Sequence, residues 1–181
     1  MIQHPDSWLY ETDVKNKNRY VLGIKGKNPL ICFGINPSTA EPGNLDNTVK
    51  SVERLAINNG HDSWIMLNLY PQRATHPANI HERLHKKLHT ANLEAIMRLI
   101  QQFEKVNLWA AWGTLIWHRP YFRQCLTDIY QITENYNHQW LSMGELTKAG
   151  HPRHPLYLKA TSKPQPFDMP AYIETLTIRK P

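Results

Sequence analysis

The sequence predicts an α/β domain of three layers, with helices on both sides of a mainly parallel sheet. Three observations predict it. Leu30 to Ile35, Trp64 to Leu69 and Val106 to Trp112 are nearly continuous apolar runs, as strands buried on both faces should be. The segments between them carry apolar residues at helical spacing or helix-capping residues. Each run also leads into a polar motif. These are Gly34-Ile35-Asn36-Pro37-Ser38-Thr39-Ala40, Asn68-Leu69-Tyr70-Pro71-Gln72-Arg73-Ala74-Thr75 and Ala111-Trp112-Gly113. A fourth motif, Gly150-His151-Pro152-Arg153-His154-Pro155, follows later. In open parallel sheets, ligands bind beyond the carboxyl ends of the strands. One pocket built from these loops is the expectation.

The elements follow in order. Trp8 to Tyr10 and Arg19 to Ile24 read as N-terminal strands, with Asn16-Lys17-Asn18 turning between them. Leu30 to Ile35 is the first buried strand. Pro37, Pro42 and Gly43 keep residues 36 to 47 in a loop. Asp46 or Asn47 can cap a helix running to about Asn59, and Gly60 can end it. Trp64 to Leu69 is the second buried strand, and Tyr70 to Pro77 a loop. Leu84, Leu88, Leu93, Ile96, Leu99 and Ile100 predict a long helix over Asn79 to Phe103. After the strand Val106 to Trp112, a helix starts near Thr114, with Pro120 as a break. Gln139 to Met143 is a candidate fourth strand. The tail, about 161–181, reads as irregular around the apolar stretch Tyr172 to Ile178. Residues 1–181 are expected to form a single domain, with its core at about 19–160.

The composition of this 181-residue chain is ordinary for a soluble globular protein, at 41% apolar and 20% charged. No run is long enough to span a membrane, and His4, Pro5 and Asp6 exclude an apolar leader core there. Cys32 and Cys125 both sit in apolar or helical settings. Buried free thiols, and a reducing cytoplasmic location, are expected. A net charge of +6 with ten histidines favours an anionic partner.

The combination of Asn36-Pro37-Ser38-Thr39-Ala40, Asp46-x-Thr48, Asn68-Leu69-Tyr70-Pro71 with Arg73-Ala74-Thr75-x-Pro77, Ala111-Trp112-Gly113 and Pro152-Arg153-His154-Pro155-Leu156-Tyr157-Leu158 resembles a bacterial and phage family, domain of unknown function 1643. The order of motifs is also similar to that of the uracil-DNA glycosylase superfamily. Gly34-Ile35-Asn36-Pro37 resembles the first motif of its mismatch-specific branch, Gly-Ile-Asn-Pro-Gly. Met66-Leu67-Asn68, with Thr75, resembles the strand whose Asn reads a flipped base. His154-Pro155 resembles the His-Pro of its last motif. The resemblance implies a four-stranded parallel sheet between helices and a pocket at the strand ends. Three departures stand out. Ser38 replaces a Gly, Leu156 follows His-Pro where Ser is usual, and no carboxylate lies beside Asn36 in its motif.

The expected activity is therefore glycosylase-like: hydrolytic cleavage of an N-glycosidic bond in a nucleotide or modified DNA base, without metal or cofactor. Such cleavage needs a positioned water, a donor at the base and a pocket for the base. Asn36 would orient the water, His154 would stabilise charge on the base, and Asp46 would supply the carboxylate. Asn68 would read a base edge and Phe33, Tyr70 or Trp112 would stack on it. Ser38, Thr39, Arg73 and Arg153 would grip phosphate or backbone. Each has a plainer role. Asn36 and Asn68 also suit turn caps, Asp46 a helix N-cap, Arg73 a loop-holding ion pair and Trp112 the core. His151, Arg153 and His154, with Lys148 and Lys159, equally make a solvated basic loop. The alternative to cleavage is a non-catalytic nucleotide or nucleic-acid binder with the same pocket.

A second alternative comes from His81-Glu82-Arg83-Leu84-His85, a His-Glu-x-x-His pattern. On a helix, His81 and His85 would hold zinc, with Glu82 as base and Glu104 as a third ligand; His89 extends the row. The flanking Arg83, Lys86 and Lys87 suit a solvated helix face instead.

Overall fold

The computed structural model describes residues 7–178. His4, Pro5 and Asp6 lie outside the described residues. Seven strands form one sheet: β1 (Trp8–Thr12), β2 (Arg19–Ile24), β3 (Pro29–Gly34), β4 (Ser63–Asn68), β5 (Asn107–Ala110), β6 (Gln139–Met143) and β7 (Pro164–Pro166). Four helices accompany them: α1 (Asn47–Asn58), α2 (Lys86–Ile100), α3 (Tyr121–Thr133) and α4 (Met169–Ile178). The strand order is β1-β2-β4-β3-β5-β6-β7. Only the four central strands run parallel. The pairings β1–β2, β2–β4 and β6–β7 are antiparallel. The expectation of a mainly parallel sheet is thus corrected to a mixed one, with a parallel centre and antiparallel flanks.

Alternation along the central strands assigns each side chain to a face. Ile31, Phe33, Ile65, Leu67, Leu108 and Ala110 pack with residues of α2, α3 and α4. Leu30, Cys32, Trp64, Met66 and Trp109 turn the other way and pack on α1. Every residue of β3 and β4 is buried, as the apolar runs predict. Both cysteines are free and buried, one in each cluster. No helix among the described residues is long and apolar enough to cross a membrane.

Asp46 caps α1 by accepting from the Val49 N–H at 2.9 Å. Gly60 follows its end at φ 82°, a left-handed conformation that suits glycine. Three helical expectations need correction. The long helix over Asn79 to Phe103 is only α2. Before it, Pro77–Asn79 form one 3₁₀ turn and residues 81 to 85 are not helical, because Pro77 fixes a turn and His85 caps the helix. The helix from Thr114 is a 3₁₀ turn, Gly113–Trp117, and α3 begins only after Pro120. The tail expected to be irregular holds β7 and α4, whose Met169, Tyr172 and Leu176 are buried.

Candidate functional site

The loops after β3 and β4 zip together beyond the strand ends. Leu69 and Tyr70 N–H donate to the Gly34 and Ile35 carbonyls at 2.9 Å, and Ala74 N–H to Pro37 O at 2.9 Å. The parallel register Gly34↔Asn68 sets this alignment. Asn36 adds a side-chain clamp. Its Nδ2 donates to Ala74 O at 2.9 Å, Pro37 O at 3.0 Å and Gln72 O at 3.4 Å. No bond to its Oδ1 is found among the described residues. Asn68 is buried below, and hydrogen bonding orients its amide to donate to Asn36 O and Leu67 O at 3.3 Å.

A cleft of about 460 Å³ opens at these strand ends. It brings together Asn36, Asp46, Ser38, Thr48, Arg19 and His154. Asp46 lines the cleft because it caps α1 at that end of the helix. His154 arrives from the loop after β6. It precedes the 3₁₀ turn Pro155–Tyr157, and its Nδ1 accepts from the Leu156 N–H at 3.4 Å. A ring that accepts at Nδ1 carries its neutral-form proton on Nε2. Burial lowers the His154 pKa below the ordinary imidazole value, and the Asp46 carboxylate partly offsets that. Gly113, at φ 63°, turns the chain beside the His154 backbone. A second cavity of about 410 Å³ adjoins, and Leu115, His154, Leu156 and Tyr157 line both.

The structure places other expected residues elsewhere. Phe33 is in the core, 5.0 Å ring-to-ring from Trp140. Tyr70 is also buried, with its hydroxyl 2.8 Å from His81 Nδ1. Asn68 does not reach the cleft. Trp112 is fully buried and donates to the Tyr172 hydroxyl at 3.0 Å, although it lines the adjoining cavity. Arg73 spends its guanidinium on the loop: on Ser38 O at 2.6 Å, the Tyr10 hydroxyl at 2.6 Å and Ala40 O at 3.4 Å, with Glu41 at 3.6 Å. The loop-holding role describes it. Thr39 is exposed beside Arg73 on an open groove that shares Ser38, Ala74 and Thr75 with the cleft. Arg153 donates to Glu145 O at 2.9 Å and borders the adjoining cavity.

The zinc pattern does not assemble. His81 and Glu82 precede α2, His81 Nδ1 is engaged by Tyr70, and His85 Nδ1 accepts from Leu88 N–H at 3.3 Å. His89 pairs with Asp128 at 2.7 Å. No group of three His, Cys, Asp or Glu side chains placed to hold a metal occurs among the described residues.

Sequence reasoning missed Arg19. It is 1% exposed, lines the cleft and donates to Ala40 O at 3.0 Å. Burial, reinforced by Arg73, brings its pKa down to about 10, with Asp46 pulling the other way. It therefore stays charged at neutral pH. It reaches the cleft because β2 runs antiparallel to β4, so the start of β2 meets the carboxyl ends of β3 and β4. In the expected parallel sheet, a strand's first residue would lie at the opposite end. The available signal was a lone arginine heading an apolar strand.

Fold and site thus define an α/β domain with a polar, partly enclosed cleft at the ends of its parallel strands. The chain matches the family described as Protein of unknown function (DUF1643) over residues 19–156, more than half its length, and belongs to that family. No curated protein and no solved structure matches it.

Proposed function

We propose that this protein binds a nucleotide, or a nucleotide unit of DNA, in the Arg19–Asp46–His154 cleft and hydrolyses its N-glycosidic bond. The observation that carries this reading is the meeting of a carboxylate, a buried imidazole and Asn36 in one cleft at the strand ends. A cleft at the carboxyl ends of the four parallel strands in the centre of the mixed sheet also supports the reading.

The chemistry follows from these groups. Asp46 takes a proton from a water that Asn36 Oδ1 helps to hold, and the water oxygen bonds to the anomeric carbon. The carbon–nitrogen bond breaks, and its electron pair leaves with the base. Neutral His154, with its proton on Nε2, donates to the departing base. Base recognition differs from the sequence expectation, because Asn68, Phe33 and Tyr70 are inside the fold. The adjoining cavity, with Leu115, Leu156 and Tyr157, offers the apolar surface for a base.

The test is release of free base, read by mass spectrometry, from nucleotides and from DNAs carrying uracil, mismatched or modified bases. Asp46→Asn keeps an N-capping side chain and removes only the charge. It is expected to lower release by about 100-fold or more, the scale of a lost general base. His154→Asn is expected to do the same. Release unchanged in both variants, or absent from every substrate, would refute cleavage. A non-catalytic nucleotide binder is the second reading, favoured by the retreat of Asn68 from the cleft. Binding without release selects it.

A further inference from the structure

The cleft holds donors that the cleavage chemistry does not use. Arg19 is buried against it with five N–H donors. Among the described residues, only the Ala40 carbonyl is bonded to the head group, and Arg73 shares that oxygen. The Arg19 Nε–H is buried with no partner among the described residues. No ion pair joins Arg19 to a carboxylate there. A buried donor without an acceptor is costly unless something from outside supplies one.

The same wall is the start of α1, a 12-residue helix. Asp46 satisfies the Val49 N–H, but no acceptor is found for the Asn47 and Thr48 N–H groups among the described residues. These orphan donors and the positive end of the helix favour an anion. The Ser38 and Thr48 hydroxyls border the same space. Asp46 does not close it, because its Oδ1 is bonded to Val49 N–H and no ion pair joins its carboxylate to Arg19 among the described residues. The apolar surface of Leu115, Leu156 and Tyr157 adjoins, and Tyr157 is 77% exposed.

We propose, resting on the nucleotide reading of this cleft, that Arg19 and the N-terminus of α1 form a phosphate-monoester site, and that the ligand is a nucleoside monophosphate whose base lies toward Tyr157. A monoester fits because its terminal oxygens can accept from the guanidinium, the two helix N–H groups and the hydroxyls together. The two adjoining cavities, about 460 and 410 Å³, suit one small ligand.

Isothermal titration with uridine and adenosine monophosphates, the matching nucleosides and inorganic phosphate tests this. The monophosphates are expected to bind at least about tenfold tighter than the nucleosides, the scale of one or two charge-assisted hydrogen bonds. Inorganic phosphate is expected to displace them. Thr48→Val and Arg19→Lys should each weaken monophosphate binding and leave nucleoside binding unchanged. Thr48→Val keeps the test valid if Arg19→Lys disturbs folding. A short oligonucleotide with and without a 5′-phosphate separates a free nucleotide from a strand end as the source of the phosphate. Equal affinity for nucleoside and monophosphate, indifference to Thr48→Val, or no binding of any probe would overturn the site. Base release is measured on the same samples. Phosphate-dependent binding without release would sink cleavage and keep this site. Release from nucleosides without phosphate dependence would sink this site alone.

Discussion

Tyr172→Phe removes one oxygen from the middle of a buried chain of donors. Trp112 Nε1–H donates to that oxygen at 3.0 Å, and His151 Nδ1 lies 2.8 Å from it. Trp117 Nε1–H, which can only donate, points at His151 Nε2 at 2.9 Å. That fixes His151 as the tautomer with its proton on Nδ1, so the Tyr172 oxygen accepts from both neighbours. Trp112 is fully buried and His151 is 5% exposed. The variant strands the indole N–H and takes from His151 Nδ1 this partner, at about 1–3 kcal/mol for each unsatisfied group. The sum is about 2–4 kcal/mol, because relaxation recovers part of it. For a chain of this size, the melting midpoint should fall by about 5–15 °C. Urea unfolding followed by tryptophan fluorescence gives the free energy, and thermal unfolding gives the midpoint. Tyr157→Phe, at an exposed ring, is the control and should change neither. A loss below about 0.5 kcal/mol for Tyr172→Phe would refute the network, since a surface substitution gives as much. The experiment also tests whether α4, which lies beyond the family match, is part of the core.

Three further outcomes are expected. Arg73→Lys loses the two-pronged hold on the Ser38 and Ala40 carbonyls and should cost about 1–3 kcal/mol in urea unfolding, without changing the salt dependence of ligand binding; a lower salt slope at unchanged stability would mean that Arg73 grips phosphate. Burial lowers the pKa of His61, His81, His138 and His154, so between each folded value and the ordinary 6.5 the unfolded chain binds more protons. Stability should therefore fall as pH drops below about 6.5, and His154→Asn should flatten that slope; a pH-independent unfolding free energy from pH 7 to 5 would contradict it. The purified protein should carry no stoichiometric zinc by elemental analysis, and a chelator should leave its melting midpoint unchanged; one zinc per chain, lost in His85→Ala, would restore the His-Glu-x-x-His reading.

Much of the fold was legible because its signals are local. The runs at β3, β4 and β5 are buried on both faces, and burial on both faces leaves no polar position to interrupt them. Asp46 and Gly60 bound α1 where a cap and a left-handed residue are required. The pocket's general place, and the presence of Asn36, Asp46 and His154 around it, also followed from motifs at strand ends. The tail was less legible. Met169, Tyr172 and Leu176 stand at i, i+3 and i+7, but Ala171, Ile173 and Ile178 among them and the prolines around them blur the stripe, and their burial depends on a surface made by α3 and β6.

The sequence by itself determined the buried strands at the centre of the sheet, which polar loops end them, and that a carboxylate, an amide and an imidazole belong to those loops. Only the tertiary structure decided which side chains face the cleft. Phe33 and Asn68 turn inward, because alternation along a strand sends neighbours to opposite faces and both faces here are covered by helices; Tyr70, in the loop after β4, is drawn inward where its N–H bonds the Ile35 carbonyl. The direction of β2 was likewise invisible, since one strand's residues do not state the polarity of its partner. That direction delivers Arg19, a side chain that looked like a strand's first residue, to the floor of the cleft.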